Sequence, residues 1–363
     1  MMKKLNKFLL AVMLVCISLP SAAQKIEHGK RFRALIIGMD GTKGVQFHES
    51  VFINKESPHI KMITENGQYT TCLSVDDAHC ARAHLGHRLG PDYFWVTSPG
   101  WATVLSGVNT NKHLVKENDF ESQRIFVRTS QQFPTFLYQL KQKGLVAAAG
   151  GVGNFLSSIG DDGSVSAGIL DYECGEDVVH QQSSVIANAG KSCNANYRKS
   201  FNGDDEARDA KLTVWLQSLI EMNGEQSPDV IMGVFDTIDE AGHHYNFGSN
   251  AQYLKAIANV DAYIDTLMVA LKKRVEESNE VWLVVITADH GGHGTNHSDA
   301  LGDDEVIPFV ISTFGSRVTL LQQGELKDGN VTQMDVSPSV LHWFDRQSNV
   351  SDGIVRSQYR WLD

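Results

Sequence analysis

Three observations predict an α/β layered fold: short apolar runs recur along the chain, polar or helix-like segments separate them, and one of those segments is a long amphipathic helix. The runs are residues 34–38, 145–149, 230–235, 281–287 and 306–312. Their Val, Ile, Leu and Ala show little alternation, as expected of parallel strands buried on both faces. Between the third and fourth runs, Leu254, Ile257, Val260, Ile264, Leu267 and Leu271 recur at steps of three and four. Lys255, Asp261, Lys272 and Lys273 fall on the opposite side, so this helix is expected to cover one face of the sheet. From residue 151 to 224 the pattern lapses into Gly, Ser, Asp and Asn, which reads as an inserted cap.

The chain has 363 residues, 42% hydrophobic and 21% charged, which suits one large globular domain and excludes disorder as its main state. Lys and Arg number 32 against 43 Asp and Glu, a net charge of -11, so binding to a nucleic-acid duplex through a broad basic face is not expected. Lys3, Lys4 and Lys7 precede an apolar stretch at 8–20 and the small residues Ser21, Ala22 and Ala23. This reads as a secretory signal peptide over residues 1–23, with export to a periplasm or the exterior. The stretch is too short for a membrane span, which takes about 20 apolar residues. Beyond it stand Cys72, Cys80, Cys174 and Cys193. In an oxidising compartment the short separations favour Cys72 with Cys80 and Cys174 with Cys193.

Ligands of open α/β sheets bind beyond the carboxyl ends of the strands, and three predicted strands end in acidic or Asp-His clusters. The first runs into Asp40, the third into Asp236 and Asp239-Glu240-Ala241-Gly242-His243, and the fourth into Asp289-His290. Taken alone, Asp40 also fits a turn or a helix cap. Asp239 and His243 stand four apart, one helical turn, within reach of one ion. The stretch Asp289-His290-Gly291-Gly292-His293-Gly294-Thr295-Asn296-His297 crowds three histidines and an aspartate into a glycine-rich loop, the strongest metal-site pattern in the chain. Residues 97–107 offer Thr97 and Ser98 at the start of a predicted helix, with Pro99 in its first turn. The N–H groups there favour an anion, although either hydroxyl also fits a cap.

Together these blocks resemble the alkaline phosphatase superfamily, especially its type I phosphodiesterase and nucleotide pyrophosphatase branch. The matching elements are Gly38-Met39-Asp40-Gly41, residues 97–107 with Asn111-Lys112-His113, the Asp239 to His243 block, Asp289-His290-Gly291, Gly294-Thr295-Asn296-His297, and residues 333–341 as the closing helix. The resemblance implies a mostly parallel central sheet with helices on both faces and an inserted cap. It also implies two divalent ions, usually zinc, one held by Asp239, His243 and His297, the other by Asp40, Asp289, His290 and Thr97. Thr97 is then the nucleophile, activated by coordination, and a phosphothreonine forms. The ten-residue distance to Gly107 selects Thr97 over Ser98. His297 is selected over His293 by the Gly-Thr-x-His block, and His342 reads as part of a core helix. Gly100 stands where the family carries an asparagine that binds a phosphoryl oxygen, so that contact comes from elsewhere or is absent.

The implied activity is hydrolysis of a small anionic phosphate ester, of the phosphodiesterase or nucleotide pyrophosphatase type. A phosphomonoesterase and an inactive zinc-binding homologue are the alternatives; Arg198 and Lys199 in the cap are candidates for monoester contacts. Ordinary sulfatase chemistry is disfavoured because the Cys-x-Pro-x-Arg type sequence is missing.

Overall fold

In the computed structural model the apolar runs become strands of one nine-stranded, mostly parallel sheet. The structure describes residues 24–83, 96–151, 172–174, 205–225, 227–297, 302–348 and 350–362. The leader-like residues 1–23, Arg198, Lys199 and the proposed Cys174–Cys193 pairing lie outside them, as does most of the expected cap. From one edge the strand order is Gly324–Glu325, Gly67–Tyr69, Phe309–Phe314, Glu280–Thr287, Lys30–Met39, Val230–Phe235, Ala147–Gly151 and Tyr172–Cys174, and the ninth strand, Ile26–Glu27, pairs off this path with Lys30–Met39. The last four neighbour pairs, from Glu280–Thr287 onward, are parallel.

The fifth apolar run departs from expectation. It splits at Pro308: Val306–Ile307 pairs with Ala81–Arg82, and Phe309–Phe314 enters the main sheet antiparallel to Glu280–Thr287. Proline has no N–H for the ladder, so one continuous strand through this position is disfavoured.

Helices cover both faces. Thr97–Ser106, Phe136–Lys141 and Val336–Trp343 bury Trp101, Leu105, Leu137, Leu140, Val340 and Leu341 on one side. Pro58–Glu65, Asp205–Ile220 and Ala251–Glu277 pack on the other. The six aliphatic residues that predicted the long helix are all buried there, each contributing about 1.5–3 kcal/mol. Asp261 corrects the expected polar face: it is buried, and its carboxylate accepts from the backbone N–H of Ile60 (2.7 Å) and His59 (3.3 Å), capping the neighbouring helix. Residues 205–220, within the stretch expected to form a cap, are a helix whose Leu212, Leu216 and Leu219 belong to this core. Cys72 and Cys80 form the expected disulfide. Among the described residues no helix is long and apolar enough to cross a membrane.

Candidate metal centre

Three adjacent parallel strands deliver the acidic loops side by side. Gly38 is in register with Val234 on one neighbour and Thr287 on the other, so Asp40, Asp236 and Asp289 leave the sheet at the same end. Asp40, Asp289 and His290 are fully buried there. His290 Nε2 lies 3.3 Å from Asp289 Oδ2 and 3.6 Å from Asp40 Oδ1. Its Nδ1 donates to the Gly291 carbonyl at 2.8 Å, which leaves Nε2 as the basic atom facing the carboxylates.

The second group sits against the first. Asp239 Oδ2 is 3.3 Å from His243 Nε2, and Asp239 Oδ1 is 3.8 Å from His297 Nε2. The two histidine Nε2 atoms face each other at 3.0 Å, and His297 stacks on His290 with ring centroids 4.0 Å apart. His243 Nδ1 donates to the Thr295 carbonyl. Beneath them lies Phe247, edge-on to both His243 and His297. Gly242 and Gly292 admit that ring, since a Cβ at either would come within 2.4 Å of it. The helix Thr237–Tyr245 that carries Asp239 and His243 is capped from outside: Asp209 accepts from the N–H of Asp236 and of Thr237 and from the Thr237 hydroxyl.

Thr97 opens the helix Thr97–Ser106 and is half-buried, whereas Ser98 is buried. Beyond Thr97 itself, the backbone N–H groups expected to favour an anion at this helix start are engaged or absent. Ser98 N–H donates to Asn118 Oδ1 at 2.7 Å, Pro99 has none, and Gly100 N–H donates to the Val96 carbonyl. An exposed side-chain amide therefore stands one residue from Thr97. Its loop is fixed by buried His113, whose Nδ1 accepts from Val115 N–H and whose Nε2 lies 2.9 Å from the Thr103 hydroxyl on the Thr97 helix. Burial pushes the His113 imidazole down to about 3, so it is neutral.

The donor set fits divalent cations. Asp40 Oδ1, Asp239 Oδ1, Asp289 Oδ2 and His290 Nε2 are buried and have no hydrogen-bond partner among the described residues. Leaving several carboxylate oxygens so close together without compensation is costly unless a cation fills the space. Ligand atoms of Asp239, His290 and His297 lie within 4.8 Å of one another, as do those of Asp40, Asp289 and His290. A third such group, Asp40, Asp236 and Asp239, brings in Asp236, which the ligand set implied by the resemblance leaves out. Asp236 is also ion-paired at 2.6 Å with buried Arg208. His293 instead binds Asp304 (2.7 Å), and His342, on the closing helix, contacts Ser357.

Without metal, burial and the neighbouring carboxylates hold Asp40 well above the usual range. Burial, reinforced by Asp239, pushes Asp289 up to about 6, and the hydrogen bond with Asp239 raises His243 to about 9. Asp289 keeps its proton longer in the folded than in the unfolded chain, so its ionisation erodes stability as pH rises from 3.8 to about 6. The His243 contribution is complete below 6.5 and is lost as pH rises to about 9. Both act in one direction. Below 6.5 neutral His113 acts in the opposite sense, so the test lies above it: in chelator the melting temperature should fall as pH rises from 6.5 to about 9, and saturating metal should flatten the decline; thermal scans with and without chelator decide it, and a chelated protein that gains stability over this interval contradicts it.

Residues 35–348 match the family described as type I phosphodiesterase / nucleotide pyrophosphatase. No curated protein matches the chain by sequence. Among solved structures, a 2-O GAG sulfatase is similar at a TM-score of 0.58 and 14% identity, over 89% of this chain and 73% of that one. Murine ectonucleotide pyrophosphatase/phosphodiesterase 5 is similar at 0.55 and 12%, over 89% and 97%. An inactive form of the murine protein, changed at one threonine to alanine, was solved in complex with AMP. An alkaline phosphatase superfamily protein from Vibrio parahaemolyticus is similar at 0.51 and 14%, over 93% and 71%. At these identities the likeness is one of fold, and the sheet with helices on both faces is shared.

Proposed function

Because this chain belongs to the type I phosphodiesterase / nucleotide pyrophosphatase family, we propose that it is an exported hydrolase of small phosphate esters that uses two divalent ions, zinc by preference, and a phosphothreonine on Thr97. The observation that carries the reading is the set of buried, unpartnered ligand atoms on three adjacent strand ends. Asp239, His243 and His297 would hold one ion, and Asp40, Asp289, His290 and the Thr97 hydroxyl the other. When bound, the ions supply Lewis acidity to the Thr97 oxygen, to the phosphoryl group and to the departing oxygen.

The chain's own residues do the rest. Thr97 Oγ1 gives up its proton and attacks phosphorus in line; the bond from phosphorus to the leaving oxygen breaks, and that oxygen departs with a proton. Water then attacks the phosphothreonine, the bond from phosphorus to Oγ1 breaks, and Thr97 recovers its hydroxyl. Asn118, oriented by Ser98 N–H, keeps its amide N–H2 available for a phosphoryl oxygen, the contact that Gly100 lacks. The imidazoles of His290 and His243 are held in one tautomer by carbonyl acceptors, so they need not reorganise. The inactive threonine variant of the murine structure with AMP supports a threonine in this role and a nucleotide-like ester as substrate class.

A panel of aryl phosphate diesters, aryl monoesters, nucleotide esters and an aryl sulfate tests the proposal with zinc supplied. Diester and nucleotide-ester cleavage should exceed monoester cleavage, with the sulfate untouched. Release from the monoester alone would move the assignment to a phosphomonoesterase; no release from any ester would leave a metal-binding protein without this activity.

A further inference from the structure

Trp101 lies one turn beyond Thr97 on the same helix and is fully buried. Its Nε1–H donates to Asp40 Oδ2 at 2.8 Å, while Asp40 Oδ1 is left without a partner toward His290. The strand that carries Asp40 is cut away to seat this ring: a Cβ at Gly38 would come within 2.4 Å of Trp101 Cη2. The preceding residue makes the companion contact. A Cβ at Gly100 would stand 2.5 Å from Asp289 Cβ and 2.8 Å from the Asp289 carbonyl oxygen. Two consecutive residues of the Thr97 helix therefore dock on two aspartates of one group, Gly100 by close approach to the Cβ and backbone of Asp289 and Trp101 by a hydrogen bond to the Asp40 carboxylate.

We propose that Trp101 is a positioning residue for the metal centre: it commits Asp40 Oδ2 to the indole, presents Oδ1 to the cation, and sets the spacing between that cation and Thr97. This rests on the two-metal reading above. An indole is suited to the task because it donates one hydrogen bond and accepts none, so it orients a carboxylate without competing for the ion. Asp40 is surrounded by Asp289, Asp239 and Asp236, and among the described residues Trp101 is the side chain that donates to its carboxylate and selects one rotamer. Thr97 and Trp101 stand four apart on one helix, so the bond that orients Asp40 also registers the hydroxyl against it.

Trp101→Phe removes the N–H and keeps an aromatic ring in place. Zinc titration against a chromogenic chelator should show one of the two sites weakened about tenfold to a hundredfold, the usual effect of losing a partner that orients a ligand. The other site should be unchanged, and the metal-free protein should stay folded while melting several degrees lower, because a buried ring is trimmed and Asp40 Oδ2 loses its donor. Gly38→Ala, which displaces the ring by crowding, should reproduce the weakening from the opposite side. In parent protein carrying nitrogen-15 tryptophan, the indole resonance that vanishes in Trp101→Phe should shift when zinc is added, a response that mere core filling does not give. Parent-like affinity at both sites in both variants, or a stationary indole resonance on zinc loading, overturns the inference while leaving the two-metal reading intact. A parent protein that binds no divalent metal overturns both.

Discussion

Thr97→Ala is expected to lower turnover about a thousandfold or more while leaving fold and metal content intact, the usual signature of removing a covalent nucleophile. The fold should survive because Thr97 is only half-buried at the start of its helix, and the contacts that dock this helix come from Gly100 and Trp101. Metal should remain because Asp40, Asp289 and His290 keep their places. Thr97→Ser retains the hydroxyl and should keep partial activity; it loses the methyl group that narrows the rotamer choice. Ser98→Ala should be mild, since the Ser98 group engaged near the site is its backbone N–H. Steady-state rates on the best ester, with metal analysis of each variant, check this. A dead Ser98→Ala beside an active Thr97→Ala would shift the nucleophile by one residue, and two active variants would replace the covalent step with direct attack by water.

Stripping the protein with a strong chelator should abolish activity and lower the melting temperature by several degrees, both reversed by zinc. A ligand that binds only the folded state stabilises it by about 4 kcal/mol per site when present at a thousandfold excess over Kd. The loss should be large here because removing the ions restores the repulsion among the buried carboxyl groups of Asp40, Asp239 and Asp289. Elemental analysis, activity and thermal scans on one preparation provide the check; only trace metal in an active protein that ignores chelator would end the two-metal account.

Much of this centre was legible in the sequence because each part announces itself locally. A buried parallel strand is an unbroken apolar run, and a ligand-bearing loop shows as Asp or His where that run stops, as at Asp40, Asp239 and Asp289. The structure brings ligand atoms of Asp239, His290 and His297, and of Asp40, Asp289 and His290, close together, with His243 against Asp239; the grouping differs from the Asp239, His243 and His297 set that the resemblance implied. What stayed hidden depends on partners distant in sequence. Nothing near Asn118 says that its carbonyl will meet Ser98 N–H, and nothing near Trp101 says that its ring will face Asp40. Asp261 sits at a helical position that reads as solvent-facing; only the arrival of the helix at Pro58–Glu65 makes it a buried cap. Asp236 looks like an ordinary strand-end residue until Arg208 closes on it. The strand direction of Phe309–Phe314 was missed because periodicity reports burial and says nothing of the neighbour's orientation.

The three strands that end in the ligands meet only by long excursions of the chain: Leu35 is paired with Ile231 on one side and with Val284 on the other. Pairings of such high contact order close late and slowly, after the loop entropy of the intervening segments has been overcome. A polypeptide still searching for this arrangement carries its aspartates and histidines as isolated weak ligands, with no preformed cradle for a cation. Metal can therefore act as a lock on the finished molecule and not as a seed for its folding: it should slow unfolding and leave the rate of refolding nearly untouched. If the chain is exported as proposed and crosses the membrane unfolded, this ordering would keep the ions out of the transit step and make their capture the last event of maturation.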